Sequence, residues 1–297
     1  MSTREKFGVQ IDDIEIAGSR TGFILIHGLG GTPVELKFVA QGLGRAGFTV
    51  HCPLLYGHGG SEALLNTTTW QDWYGTIDTA ITEMRTRCDT VIVGGLSVGA
   101  VLALHAAARR PSDVQSTVLF SPTLWPNGWA IPKSLHLFKL VHLKWFANLI
   151  HMKECAPYGI KDERIRNFVL DSLQSDGRPL EDIFGRKGGT VLEFRWLVDI
   201  VKKELAQIAQ PALIFHPRHD DQSDISNTML LQRKLGGMVE TVVLDDSYHM
   251  VTLDRQRALV LEKTERFAIW LEGAIAERAA TDAARAQLTQ HGTVHKL

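Results

Sequence analysis

Short apolar runs at residues 21–27, 48–52, 90–93, 116–120, 211–216 and 240–244 alternate with stretches of helical spacing, and this order constrains the fold more than any other feature. Thr21-Gly22-Phe23-Ile24-Leu25-Ile26-His27 reads as a short buried strand, followed by helical spacing over residues 33–45 with Gly47 beyond its end. Further helices are predicted over 70–87, over 98–109 where Pro111 closes the segment, and over 224–235. A last helix over 254–274 packs back through Leu259, Leu261, Phe267, Ile269, Trp270 and Leu271. Strands that follow helices in this way pair in parallel, with helices on both faces, so the expected class is α/β.

The alternation stops between residues 122 and 210, where helical segments, prolines and glycines occur without a convincing strand. The expected organisation is a core of residues 1–122 and 211–278, an inserted helical cap over 123–210, and a frayed tail over 279–297. With 297 residues and 44% hydrophobic content, the chain can bury a sizeable core. A net charge of -1 supplies no basic field for nucleic acid. The first seven residues lack the apolar core of a secretory signal, and no apolar stretch is long enough to span a bilayer, so a cytoplasmic protein is expected. Cys52, Cys88 and Cys155 are too scattered for a disulfide framework or zinc, and no H-E-x-x-H spacing suggests a metal. No coiled-coil or other assembly signature speaks to oligomeric state.

Gly95-Leu96-Ser97-Val98-Gly99 sits where the strand at residue 90 meets the helix at residue 98. In a G-x-S-x-G turn the glycines let strand and helix approach closely, while the serine takes a strained conformation that lifts Oγ above the sheet. The pattern recurs by chance, so the rest of the chemistry must be present too. A nucleophilic serine needs a base, a group that orients the base, and donors for the developing oxyanion. On a parallel sheet these gather at the carboxyl ends of strands. There the chain offers the glycine-rich loop His27-Gly28-Leu29-Gly30-Gly31, the carboxylates Asp220, Asp221 and Asp224, and the histidine His249 with Asp245 and Asp246 nearby. The backbone N–H groups of Leu29 and Val98 are the expected oxyanion donors. The chain order is serine, aspartate, histidine. His27 and His58 read as holders of their own loops, and His216 and His219 as neighbours of the acid.

In these features the sequence resembles the α/β-hydrolase superfamily, and within it the capped bacterial carboxylesterases and monoacylglycerol-lipase-like enzymes. The resemblance rests on residues 27–31, on Leu54-Leu55-Tyr56-Gly57-His58-Gly59-Gly60-Ser61, on Gly95 to Gly99, on Arg218-His219-Asp220 and on Ser247-Tyr248-His249. It implies Ser97 as nucleophile, Asp220 as acid and His249 as base, with no cofactor and no metal. Tyr56 departs from the pattern, since many relatives carry proline there.

The expected function is hydrolysis of a small-molecule carboxylic ester through an acyl-enzyme. Thioesterase, lactonase or acyltransferase chemistry, or a non-catalytic ligand-binding scaffold, are the alternatives. Residues 134–150 are apolar on more than one face and read as a cap helix that either simply packs onto the main domain or, through Leu140, Trp145 and Leu149, also lines a hydrophobic substrate pocket or meets a lipid surface. Medium-chain esters or monoglycerides would suit such a wall, to which Trp125, Trp129, Phe194 and Trp196 could contribute.

Overall fold

A computed structural model describes residues 12–153, 155–174 and 185–293. The N-terminal residues 1–7, read above for a signal, lie outside the described residues, as do 294–297 of the tail. The chain runs through β1 (Ile14–Ile16), β2 (Thr21–Ile26), α1 (Lys37–Arg45), β3 (Thr49–Cys52), α2 (Glu62–Leu65), α3 (Trp70–Arg87), β4 (Thr90–Leu96), α4 (Val98–Arg109) and β5 (Ser116–Phe120). It continues through α5 (Lys144–Ala147), β6 (His151–Lys153), α6 (Glu163–Gln174), β7 (Gly185–Lys187), α7 (Gly188–Glu204), β8 (Ala212–Pro217), α8 (Ser226–Lys234), β9 (Val239–Leu244) and α9 (Arg257–Thr293).

The main sheet has the order β1-β3-β2-β4-β5-β8-β9, parallel throughout except for β1 at the edge. Registers of Ile26 with Gly95, Leu96 with Phe120, Phe120 with Phe215 and Pro217 with Leu244 bring the carboxyl ends of the strands to one rim. β2 and β3 grow one side of the sheet before the chain crosses to β4, which makes the rim between β2 and β4 the switch point where α/β proteins bind ligands.

Every residue of β2, β4, β5 and β8 is buried. These strands are therefore continuous apolar runs rather than alternating ones, because both faces are covered. One face packs through Trp73 and Ile77 of α3, Val101 of α4, and Leu197 and Val201 of α7. The other packs through Val39 and Leu43 of α1 with Val260, Phe267 and Leu271 of α9. Each such large side chain, fully buried, stabilises the fold by about 1.5–3 kcal/mol. The start of α3 is set locally: Thr69 accepts from the Asp72 N–H, and the Asp72 carboxylate accepts from the Thr69 N–H.

The segment 123–210, expected as an inserted cap, differs from its sequence reading in two respects. First, β6 and β7 pair antiparallel, where no strand is expected. Second, residues 134–150 do not form one helix. They divide into a 3-10 run over Lys133–Leu140 and the four-residue α5. The backbone becomes extended at Val141, and the Arg195 guanidinium donates to the carbonyls of Phe138 and Val141 there. Within the same segment α7 packs against α3 and α4. At the other end, α9 continues past the expected stop at Ala274 to Thr293, through a stretch rich in alanine, the strongest helix former.

Candidate active site

Ser97 is the single residue between β4 and α4, with φ 57° and ψ −111°. A non-glycine residue in that region costs about 1–3 kcal/mol. The geometry is held by Ser97 N–H donating to the Phe120 carbonyl at 2.9 Å and by Ala100 N–H donating to the Ser97 carbonyl at 3.2 Å. Glycines flank it because nothing larger fits. A Cβ on Gly95 would overlap the Gly99 backbone, and one on Gly99 would overlap the carbonyls of Ile26 and His27. The Ser97 hydroxyl lies 3.2 Å from that of Thr123. Val98 begins α4, so its N–H is one of the first-turn groups that no helix carbonyl reaches.

The loop after β2 is braced from several sides. His27 donates from Nδ1 to the Gly28 carbonyl at 2.9 Å and accepts at Nε2 from the Leu55 N–H at 3.1 Å. These two bonds require one neutral tautomer, and burial pushes the His27 pKa down to about 4, which keeps the ring neutral. Gly31 N–H also donates to the Gly28 carbonyl, at 3.1 Å. In a trans peptide the C=O and N–H point in opposite directions, so anchoring the Gly28 oxygen sets the direction of the Leu29 N–H. Glu35 completes the brace by accepting from the Gly28 N–H at 2.8 Å. The sequence reading missed Glu35; the available signal was a carboxylate in the first turn beyond the glycine loop. His58 packs edge-on to His27 at 5.0 Å and to Trp73 at 5.6 Å, and its burial also holds its pKa low. Tyr56 is exposed, away from this packing.

At the end of β8 the neighbouring carboxylates divide. Asp220 is buried and lies 2.9 and 3.0 Å from His249 Nδ1, while also accepting from the N–H groups of Gln222 and Ser223, each at 2.8 Å. Burial alone would raise its pKa. The charges of His249 and His216 and the hydrogen bonds it accepts outweigh that and hold it below the usual carboxylate range. Asp221 instead accepts from backbone, at 3.2 Å from the His249 N–H and 2.8 Å from the Gly159 N–H, and burial raises its pKa. Asp224 accepts from the Ser226 N–H at the start of α8. Asp245 pairs with Arg218 and Asp246 with Lys161, both ion pairs facing solvent. His216 is buried between the Ser223 carbonyl and the Thr228 hydroxyl, each at 2.9 Å, whereas His219 is exposed. The Ser121 hydroxyl donates to the His249 carbonyl at 2.7 Å, a second support that carries no sequence motif.

Ser97, His249, Leu29 and Val98 all line one cavity of about 1400 Å³. Its walls include Phe138, Leu140, Phe146 and Phe194. Of the three residues expected to form the apolar wall, Leu140 borders the cavity. Trp145 and Leu149 are not among its lining residues and face outward, 67% and 74% exposed. Phe194 is in the wall as expected. Trp125 and Trp196 pack in the insert's own cluster, and Trp129 is exposed with its ring N–H donating to the His219 carbonyl.

A G-x-S-x-G elbow at the centre of a mostly parallel sheet, with an aspartate and a histidine joined at neighbouring strand ends, defines an α/β hydrolase. The family described as serine aminopeptidase, S33, matches residues 18–256, and the chain belongs to that family. It is similar to a thermostable monoacylglycerol lipase of Bacillus sp. (strain H-257), with 28% identity over 251 residues, covering 83% of this chain and 89% of that protein. It is also similar to a carboxylesterase of Bacillus subtilis (strain 168), with 20% identity over 264 residues, 84% of this chain and 93% of the relative. Among solved structures, one reported under the metagenome-derived lipolytic enzymes LipS and LipT superposes with a TM-score of 0.71 at 25% identity, covering 87% of this chain and 97% of that one.

Proposed function

We infer that the chain is a serine hydrolase of carboxylic esters in which Ser97 attacks the carbonyl, His249 accepts its proton, and Asp220 holds the histidine tautomer and stabilises the imidazolium. The N–H groups of Leu29 and Val98 stabilise the oxyanion, and the protonated histidine then passes its proton to the leaving alcohol. Water repeats the sequence on the acyl-enzyme and frees the acid. The observation that carries this reading is the convergence of Ser97 and His249 on one cavity, with Asp220 bonded to the far ring nitrogen.

The inserted segment 123–210 acts as the cap of this cavity and selects substrates with a hydrophobic acyl or alcohol part, such as medium-chain esters or monoglycerides. A volume of about 1400 Å³ exceeds the ~300–1,000 Å³ common for small-molecule sites, and the wall is largely aliphatic and aromatic. A p-nitrophenyl ester series from acetate to decanoate tests this. Each methylene buried is worth about 0.8 kcal/mol, so kcat/KM should climb up to about fourfold per added carbon over part of the series. A flat profile would remove the acyl-pocket assignment.

The outer face of the cap favours contact with a lipid surface. Leu143, Trp145 and Leu149 are each more than half exposed and do not line the cavity, and Lys133 and Lys139 are exposed nearby in the sequence, with no acidic residue between Asp113 and Glu154. Apolar side chains set among cations suit an anionic interface. Cosedimentation with phosphatidylglycerol vesicles should be lost when Trp145 and Leu149 are replaced by serine. Unchanged cosedimentation would count against this contact.

A further inference from the structure

The loop proposed above to supply the first oxyanion donor is braced by core residues at Gly28, but its next peptide is met by a side chain from the inserted segment. Arg186, the middle residue of β7, donates from Nη2 to the Leu29 carbonyl at 3.4 Å and from Nη1 to the Gly185 carbonyl at 2.7 Å. Its guanidinium lies flat against Gly30. That residue has φ +71°, and a Cβ there would overlap the guanidinium nitrogens and carbon together. Glycine at position 30 therefore serves two needs, the left-handed backbone and the seat for the arginine.

Arg186 is delivered to this seat by a fixed frame. β7 pairs with β6 in a register that sets Met152 opposite Arg186. The next residue, Lys187, donates its N–H to the Glu62 carboxylate of α2 at 2.7 Å, and Gly188 N–H donates to the Ile150 carbonyl at 2.8 Å. The strand is thus tied to the core on one side and to the rest of the insert on the other. A planar, permanently charged guanidinium suits the place, because it can lie over a glycine and still aim a donor at a carbonyl.

We propose that Arg186 is a positioning residue for the oxyanion loop: its guanidinium, seated on Gly30 and bonded to the Leu29 carbonyl, fixes the Leu29–Gly30 peptide, so that Leu29 is held from both sides and the preceding Gly28–Leu29 peptide keeps its N–H aimed at the reacting carbon's oxygen. The inserted segment then contributes to the chemical step as well as to substrate selection. This rests on the assignment of Leu29 as an oxyanion donor. Complete loss of one such donor costs about 10²–10³ in kcat, so loss of its alignment should cost a part of that.

The test compares wild type with Arg186→Met and Arg186→Lys on p-nitrophenyl butyrate, together with inhibition by phenylboronic acid, which forms a tetrahedral adduct with an active serine. Arg186→Met should lower kcat about 10- to 100-fold with KM changed less than threefold, and the boronate Ki should rise by the same factor as kcat falls. Arg186→Lys, which keeps a charged donor but cannot lie over Gly30, should fall between the two. Circular dichroism checks that each variant is folded, and if Arg186→Met is not, Arg186→Gln takes its place. A folded variant with kcat within twofold of wild type, or a loss confined to KM, would overturn the role of Arg186. Wild type that neither turns over ester nor binds boronate would overturn the reading of the site on which it rests.

Discussion

Replacing Ser97 by alanine is expected to lower kcat for a p-nitrophenyl ester by about 10⁴- to 10⁶-fold while leaving the melting temperature close to that of wild type. The size of the loss follows from removal of the attacking oxygen itself, since the neighbouring hydroxyl of Thr123, 3.2 Å from Ser97 Oγ, donates to the Ser121 carbonyl rather than to the base. The fold should be indifferent, because the backbone bonds that hold the elbow, to Phe120 and Ala100, are untouched and alanine adds no atom. Residual activity would come from oxyanion stabilisation and binding alone. Activity within tenfold of wild type would move the chemistry to another residue.

Asp220→Asn should cost about 10³- to 10⁴-fold in kcat, because an amide cannot fix the histidine tautomer or stabilise an imidazolium. The same change at Asp221 should cost less than tenfold. Asp221 accepts from two backbone N–H groups, those of His249 and Gly159, and an asparagine oxygen can still accept from one of them. The penalty at Asp221 falls instead on the placement of the histidine loop against the insert, where Met250 N–H donates to the Gly159 carbonyl at 2.8 Å. Steady-state kinetics of both variants decide between the adjacent carboxylates. A larger kcat loss at Asp221 than at Asp220 would reverse the assignment of the acid.

The adjacent aspartates also show where sequence reading stops. Both follow β8 and both are buried. Only the hydrogen-bond pattern separates the one that meets the imidazole ring from the one that meets the backbone. The core elements, in contrast, were legible almost to the residue. β5 covers the expected 116–120, and α3 and α4 cover the expected 70–87 and 98–109, because a uniformly apolar strand, the Thr69–Asp72 cap of α3 and the proline after α4 carry their boundaries in local chemistry. β1 was not legible: Ile14-Glu15-Ile16 is only three residues, and its strand character comes from pairing with β3. The segment 134–150 was misread for a related reason. Its apolar residues fall on more than one face and suit a helix, whereas the backbone turns extended at Val141, where the Arg195 guanidinium of α7 meets the Phe138 and Val141 carbonyls, a contact from some fifty positions away. For the same reason Trp145 and Leu149 face solvent while Leu140 alone of that trio reaches the cavity. The supporting residues Glu35 and Ser121 act through contacts with backbone, which no spacing rule announces.

The central claim is that Ser97 is an activated nucleophile. Treating the folded protein with a fluorophosphonate and mapping the adduct by peptide mass spectrometry tests it most directly. The account predicts one stoichiometric adduct, on the peptide carrying Ser97, absent from the Ser97→Ala variant. An unlabelled wild-type protein, or an adduct on another residue that persists in that variant, would contradict it.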